Sequence, residues 1–445
     1  MSRGITSSKC VLSIVLFLLI FNPPISKRMS FTIAFTILGA LYIVFNLNSI
    51  IRTISNSKIS SFLRMLVLFL VYCSFSFALN MISNSEKSSV IFSNYMSLLS
   101  NNISICVVSI ALMHFLLKKG YSSEDFLDIV VYAGLIQALI GILCFVSPSI
   151  KAMFNNLVII NSRSERIVET FALTSEYRNY GFASTLYDIF GCCMSIIALI
   201  ALFRANRGKG IFYLAFLAIS FVAIINARTS IILISIGMII MIISSLKGKN
   251  SRNSLIARLM LIGIIITAII LVVAVLFGDV SFNNQWLNTG ISEIKSLIVD
   301  HKATGYFDQL FNGFIFFPES TSSLLFGTGM DPAQAIEMGS DVGYIQDLWK
   351  YGIVGALIQY SAYLKLFRSV SKSNSRIASF GLVITIIVAI YLIKLNCLGY
   401  SMAAVVYLPI AFFALKERII IKTVESQTIE PINSCNNNIK AYVRS

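Results

Sequence analysis

Charge is scarce in this chain. Only 12% of its 445 residues are Asp, Glu, Lys or Arg, against about 25% in an ordinary soluble domain. That shortage excludes a water-soluble globular fold of this length. Histidine is limited to His114 and His301. His301, on the outer side in the topology derived below, is a candidate acid/base group, but a lone histidine without chemical neighbours reads as structural. The eight cysteines (Cys10, Cys73, Cys106, Cys144, Cys192, Cys193, Cys397, Cys435) fall mostly inside apolar runs and show no paired metal spacing. Neither disulfides nor zinc are expected. There is no nucleotide-binding loop, no cluster with metal-ligand spacing and no serine-hydrolase elbow. Alternating ten-residue segments are missing too, which excludes an outer-membrane barrel. No strong internal repeat marks the inverted symmetry common in transporters.

What the chain does have is apolar sequence. Hydrophobic residues make up 57% of it, and mean hydropathy is +0.82. Twelve apolar segments recur from end to end, the pattern of an all-α polytopic membrane protein with about twelve transmembrane helices. Their cores are Val11–Phe21, Phe31–Phe45, Met65–Leu79, Ile103–Leu117, Phe126–Val146, Ala183–Phe203, Ile211–Ile225, Ser230–Leu246, Leu259–Phe277, Val342–Leu366, Phe380–Ile393 and Met402–Leu415. Met1–Phe21 has Arg3 and Lys9 ahead of its apolar stretch but lacks a small-x-small cleavage site, so it reads as a first span.

The net charge of +15 belongs to the loops rather than to a nucleic-acid surface. With the N-terminus inside, the short inside connections carry Arg52/Lys58/Arg64, Lys118/Lys119, Arg204/Arg207/Lys209, Lys247/Lys249/Arg252/Arg258 and Lys365/Arg368/Lys372/Arg376. By the positive-inside rule both termini are cytoplasmic, with residues 416–445 as a cytoplasmic tail. Two long outer loops result. Residues 147–182 set Lys151, Arg163, Arg166 and Arg178 against Glu165, Glu169 and Glu176. Residues 278–341 set Lys295 and Lys302 against eight acids. Loops of this length without low-complexity composition usually hold function. Ile291–Val299 has helical apolar spacing and reads as a short amphipathic surface helix, and Leu310–Phe317 as an interfacial segment.

Charges near lipid are the first candidates for chemistry, because membrane solvent penalises them. Arg228, in IINARTSIILI, sits at the outer hairpin between segments seven and eight; Lys394 sits at the outer end of segment eleven. Arg178 stands three residues before Gly181, where the first long loop re-enters the membrane. Guanidinium groups grip phosphate through paired hydrogen bonds and stay charged, so Arg163, Arg166, Arg178 and Arg228 together suit an outward-facing anion site. Arg163 and Arg166 equally suit pairing with Glu165 and Glu169. Asp188, five residues into segment six, suits a base, an arginine's partner or a hydrogen-bonded helix residue, and reads first as the paired acid. Asp341 either caps segment ten or belongs to the site. Trp349 and Tyr351 read as interface anchors, LFGTGMD as a glycine turn, and Gly352 and Gly355 as close-packing positions.

Arg178-x-x-Gly181, Asn-Ala-Arg228-Thr-Ser, and Phe326-Gly-Thr-Gly329 followed by Ser340-Asp341-x-Gly-Tyr344 and Gly352-x-x-Gly355 resemble the O-antigen polymerase (Wzy) family. So do the twelve segments and the two loops. The family lies within the superfamily that includes O-antigen ligases. The resemblance implies a lipid-linked glycosyltransferase of a bacterial inner membrane with its active site facing the periplasm. It would transfer a growing glycan from undecaprenyl diphosphate to the terminal sugar of a lipid-linked repeat unit, without metal, cofactor or nucleotide sugar. Arg178 and Arg228 would hold the diphosphate, Asp341 would orient or deprotonate the acceptor hydroxyl, and Arg163, Arg166, Tyr344 and Lys394 would line the substrate site. Expected partners are an undecaprenyl-diphosphate-linked oligosaccharide, a chain-length regulator protein and the bilayer, with no nucleic acid. Ligases of the superfamily carry His-Asn where this chain has Asp341-Val342, which favours polymerase over ligase. A transporter of polysaccharide or lipid-linked oligosaccharide is the alternative from another class; it would line its middle with polar residues.

Overall fold

The structure is a computed structural model. It describes residues 2–24, 30–55, 58–161, 178, 180–183, 187–227, 229–246, 313–336, 339–373, 377–394, 398 and 402–416, with a few single positions between 289 and 309. Arg163, Arg166, Arg228, His301, Cys397, Cys435, the ninth apolar segment and residues 417–445 lie outside the described residues.

Among the described residues the chain is helical, without a strand. The helices are α1 Ser2–Phe21, α2 Phe31–Phe45, α3 Leu47–Ile54, α4 Lys58–Ser83, α5 Ser88–Lys118, α6 Ser123–Val146, α7 Pro148–Asn161, α8 Tyr187–Asn206, α9 Phe212–Asn226 and α10 Thr229–Leu246. They continue with α11 Thr321–Phe326, α12 Pro332–Ile336, α13 Gly343–Ser371, α14 Ala378–Tyr391 and α15 Met402–Lys416. Helices α4, α5, α6 and α8 are each long and apolar enough to cross a bilayer, and α2 with α3 makes a fifth if the bent pair counts as one. Large apolar side chains such as Val44, Phe45, Val71, Phe75 and Leu217 are turned outward. A water-soluble surface would not carry that many; lipid is their solvent.

Helix α8 is the hub. It is buried along almost its whole length and is packed on by α6, α9, α10 and α14. In lipid, apolar side chains gain nothing by leaving the solvent, so close fit and polar contacts decide which faces meet. The C-terminal α15 is likewise buried from Met402 to Leu415. It stacks Phe413 on Phe126 and sets Tyr407 edge-on to Tyr363 and Phe367.

The chain turns sharply just after segment two. It turns by 89° between α2 and α3, and His114 of α5 spans the corner, with Nδ1 3.0 Å from Tyr42 Oη and Nε2 2.9 Å from Ser49 Oγ. The histidine is buried and fastens the bend.

Segment ten departs further from expectation. Gly352 breaks α13 with φ +67° and ψ 178°, and the two halves fold back on each other. Tyr344 and Tyr360 would lie about 24 Å apart along a straight helix, yet their rings meet edge-on at 5.6 Å. Tyr360 Oη also donates to the fully buried Asp347 at 2.7 Å. Gly352 is therefore a hinge point as well as a close-packing position, since a Cβ there would lie 2.3 Å from Leu325 O. Gly355 is closely packed too, since a Cβ there would sit 2.7 Å from Tyr72.

The break frees carbonyls that lipid cannot satisfy, and the chain between Leu324 and Asp331 supplies the donors. Thr328 N donates to Trp349 O at 2.7 Å, Gly329 N to Lys350 O at 3.2 Å, and Tyr72 Oη of α4 to Tyr351 O at 2.9 Å. Asn80 and Asn94 hold the same loop through the carbonyls of Gly327 and Gly329, and Lys350 pairs with Asp331 at 2.7 Å. LFGTGMD is thus more than a turn: it is the plug of the helix break. Trp349 and Tyr351 are buried inside this joint, not at a lipid interface as expected. Trp349 Nε1 donates to Phe316 O at 3.2 Å, while Phe314 and Phe316 pack on Val342, Ile345 and Trp349.

At the opposite end of α8, charges are paired. Arg204 is 4% exposed and contacts Glu124 at 2.9 Å and Asp128 at 2.8 Å. Lys209 contacts Asp128, Arg207 contacts Glu124 at 3.5 Å, and Lys9 contacts Asp125. Ser122 and Asp125 close a capping box that starts α6 beneath these ions. Removing one partner of a buried ion pair costs about 3–5 kcal/mol because the other charge stays buried. Arg204→Ala is expected near the lower limit, since Asp128 keeps Lys209, and to lower the thermal unfolding midpoint in detergent clearly more than the exposed Arg64→Ala.

Candidate functional site

At the other end of α8, three charges from distant parts of the sequence converge. Asp188 opens α8, Asp341 precedes α13, and Lys394 follows α14 in the turn 392–394. Lys394 Nζ lies 3.6 Å from Asp188 Oδ2 and 3.5 Å from Asp341 Oδ2. Thr229, the first residue of α10, donates its hydroxyl to Asp188 Oδ1 at 3.0 Å.

Each group is there for a local reason. Helix α10 approaches α8 at Gly191, where a Cβ would lie 2.4 Å from the Cβ of Ala227; only a residue without one lets Thr229 reach Asp188. Helix α14 has 14 residues, about 21 Å of rise, and its chain turns beside the folded-back segment. There Tyr344 N donates to Leu392 O at 3.2 Å and Tyr344 Oη to Ala389 O at 2.8 Å. Tyr344 thus braces the turn that carries Lys394. Asp341 is not the helix cap: Val342 occupies that position without a side-chain bond, and Val342 N is met by Ser340 Oγ at 3.2 Å. Freed from capping, the Asp341 carboxylate is 56% exposed, against 24% for Asp188 and 17% for Lys394. The cluster is anchored on one side and open to solvent on the other.

Arg178 approaches the same end of α8. Its Nη1 donates to Tyr180 Oη at 2.8 Å, Tyr180 packs edge-on to Phe190 of α8, and Gln137 of α6 donates to the Tyr180 carbonyl. Arg228 lies outside the described residues. Asp188 is paired, but with Lys394 rather than with the arginine its sequence setting suggested. Asp347 was not singled out in the sequence. Its only signal there is an acid inside an apolar helix, and its partner Tyr360 becomes visible once the chain is folded at Gly352.

Among the described residues no group of three His, Cys, Asp or Glu side chains could hold a metal ion. What the cluster offers is a fixed cation between two carboxylates, one of them accessible. It can bind a hydroxyl, receive its proton and offset nearby negative charge. No protein-family model, curated protein or solved structure matches the chain.

Proposed function

We propose that the protein is a lipid-linked glycosyltransferase of the O-antigen polymerase class. On this reading it makes twelve spans with both termini cytoplasmic, and the Lys394 end faces the periplasm of a bacterial inner membrane. The observation that carries the reading is the convergence of Asp188, Asp341 and Lys394, with Arg178 held through Tyr180 against the same end of α8.

In the proposed reaction the acceptor hydroxyl oxygen attacks the anomeric carbon of the donor glycan. The bond from that carbon to the diphosphate oxygen breaks, and the electron pair leaves with undecaprenyl diphosphate. Asp341 orients the hydroxyl and takes its proton as the new bond forms. Arg178 and Arg228 stabilise the departing diphosphate, where positive groups aimed at developing charge have their largest effect. Arg163 and Arg166 are assigned to the same substrate, and a chain-length regulator is the proposed protein partner.

A transporter reading would draw on the broken helix, since such breaks often expose backbone groups to a substrate. Here Trp349, Lys350 and Tyr351 spend their carbonyls on Thr328, Gly329 and Tyr72, which favours an enzyme.

The test is a gel of surface lipopolysaccharide from cells lacking the protein. Core molecules bearing one repeat unit without a longer ladder are expected. Loss of all repeat units with lipid-linked polymer accumulating outside would point to a ligase, and units trapped on the inner leaflet to a transporter. Arg178→Ala and Arg228→Ala are each expected to collapse the ladder to single units while the protein still inserts, with lysine restoring little because bidentate contact is lost. Normal ladders from both alanine variants would overturn the assignment. Asp341→Asn is expected to shorten the ladder; an unchanged distribution would remove Asp341 from the reaction.

A further inference from the structure

A second charged feature lies at the end of α13 remote from Lys394. A cleft of about 420 Å³ is lined by Lys58, Lys365, Arg368, Ser369 and Lys372. Lys58 begins α4, and the other four occupy the last turns of α13 and its C-cap, so the cleft is the groove where two packed helices end. Its volume falls within the range of ligand sites, roughly 300–1,000 Å³.

The contrast with the neighbouring ions is informative. Phe203, one residue from Arg204, contacts Phe380 at the start of α14, so the Arg204 network and the cleft belong to the same end of the bundle. In that network Lys9, Arg204, Arg207 and Lys209 each contact a carboxylate. In the cleft, four cations share one space and no acidic side chain lines it. Among the described residues none of the four makes an ion pair. Like charges gathered this way repel unless an anion joins them. The protein satisfies cations internally at one side of this end and leaves a ligand-sized group of them open at the other.

We propose that this cleft seats the phosphate headgroup of an anionic phospholipid. The position selects a lipid over a soluble anion. Lys58 opens α4, a helix long and apolar enough to cross a bilayer, and the other three cations sit beside it in the last turns of α13 and its cap. At such helix ends long basic side chains reach toward the headgroup layer, and basic pockets between transmembrane helices are suited to phosphate headgroups. Exposed Leu364 and Leu357 continue up the outer surface of α13 from Lys365, giving an acyl chain an apolar track from the same point. The proposal is independent of the glycosyltransferase reading and holds whichever leaflet this end faces.

The test is native mass spectrometry of the full-length protein, stripped of lipid in detergent and then offered phosphatidylglycerol, cardiolipin or phosphatidylcholine. Retention of the two anionic lipids over phosphatidylcholine is expected, falling at least fivefold in the Arg368→Gln/Lys372→Gln double variant. Arg64→Gln, exposed on α4 and outside the cleft, should retain lipid as the native chain does. All three side chains are exposed, so folding is preserved, and an unchanged elution profile in size-exclusion chromatography checks it. Equal retention of phosphatidylcholine would overturn the proposal, as would a double variant that binds like the native protein. Displacement of the lipid by millimolar inorganic phosphate would also overturn it, in favour of a free-phosphate site.

Discussion

Gly352→Ala is expected to abolish accumulation of the folded protein. At φ +67° an alanine adopts a strained conformation, and its Cβ would lie 2.3 Å from the carbonyl oxygen of Leu325. That neighbour is backbone and cannot swing aside. Gly327 faces it with the same constraint, since a Cβ there would sit 2.4 Å from Lys350 O. Relief therefore requires pulling the 324–331 loop off the break, which takes the donors Thr328 N and Gly329 N away from the carbonyls of Trp349 and Lys350. Backbone strain costs about 1–3 kcal/mol, and each unsatisfied backbone group away from water costs several more. The total, on the order of 5 kcal/mol or above, matches the whole stability of many folded domains. Fluorescence-detected size-exclusion chromatography of a tagged protein measures this directly. Gly339→Ala, where a Cβ meets nothing within 4 Å, is the control expected to elute as the native protein. A monodisperse Gly352→Ala peak at native yield would show that the break is not held by this contact.

The second large effect is on activity. On the proposed glycosyltransferase reading, Lys394→Ala is expected to lower polymerisation by about 100-fold, the loss typical when one electrostatic contact to a transition state is removed, while the protein still folds. Without the ammonium group Asp188 and Asp341 face each other across the empty position, and the cluster that should receive an anionic substrate becomes anionic itself. Lys394→Arg keeps the charge and should retain part of the rate. A double variant separates two roles for the lysine. If it only neutralises Asp188, Lys394→Met with Asp188→Asn should recover activity. If it meets the diphosphate, the double variant should stay as inactive as Lys394→Ala. The readout is polymer length from lipid-linked repeat units in proteoliposomes. Native lengths from Lys394→Ala would remove the cluster from catalysis.

How much of this was legible in the sequence follows from the range of the contacts involved. Apolar runs are local, so Phe31–Phe45 and Phe380–Ile393 foretold α2 and α14 almost to the residue. The 89° corner after α2 was not legible, because the histidine that holds it comes from α5. The stretch GYIQDLWKYGIVG reads as one continuous helix because its propensities are helical on both sides of Gly352. What breaks it is the loop Leu324–Asp331, whose amides fit only once α4 and α5 have placed it. Trp349 illustrates the same limit: an aromatic beside a span is ambiguous between lipid interface and protein joint until its neighbours are known. Asp188 was recognisable as a paired acid from membrane energetics, but its partner is 206 residues away and is chosen by the packing of α8 against α14.

Helix α8 is held by ion pairs at both extremities, Asp188 with Lys394 at one and Arg204 with Glu124 and Asp128 at the other, and is enclosed between them. A rod fastened this way cannot slide along its axis without breaking contacts at both ends at once, and it has no free face on which to roll. Helix α8 is the stationary post of the molecule. Relative movement is left to the parts attached to it from outside.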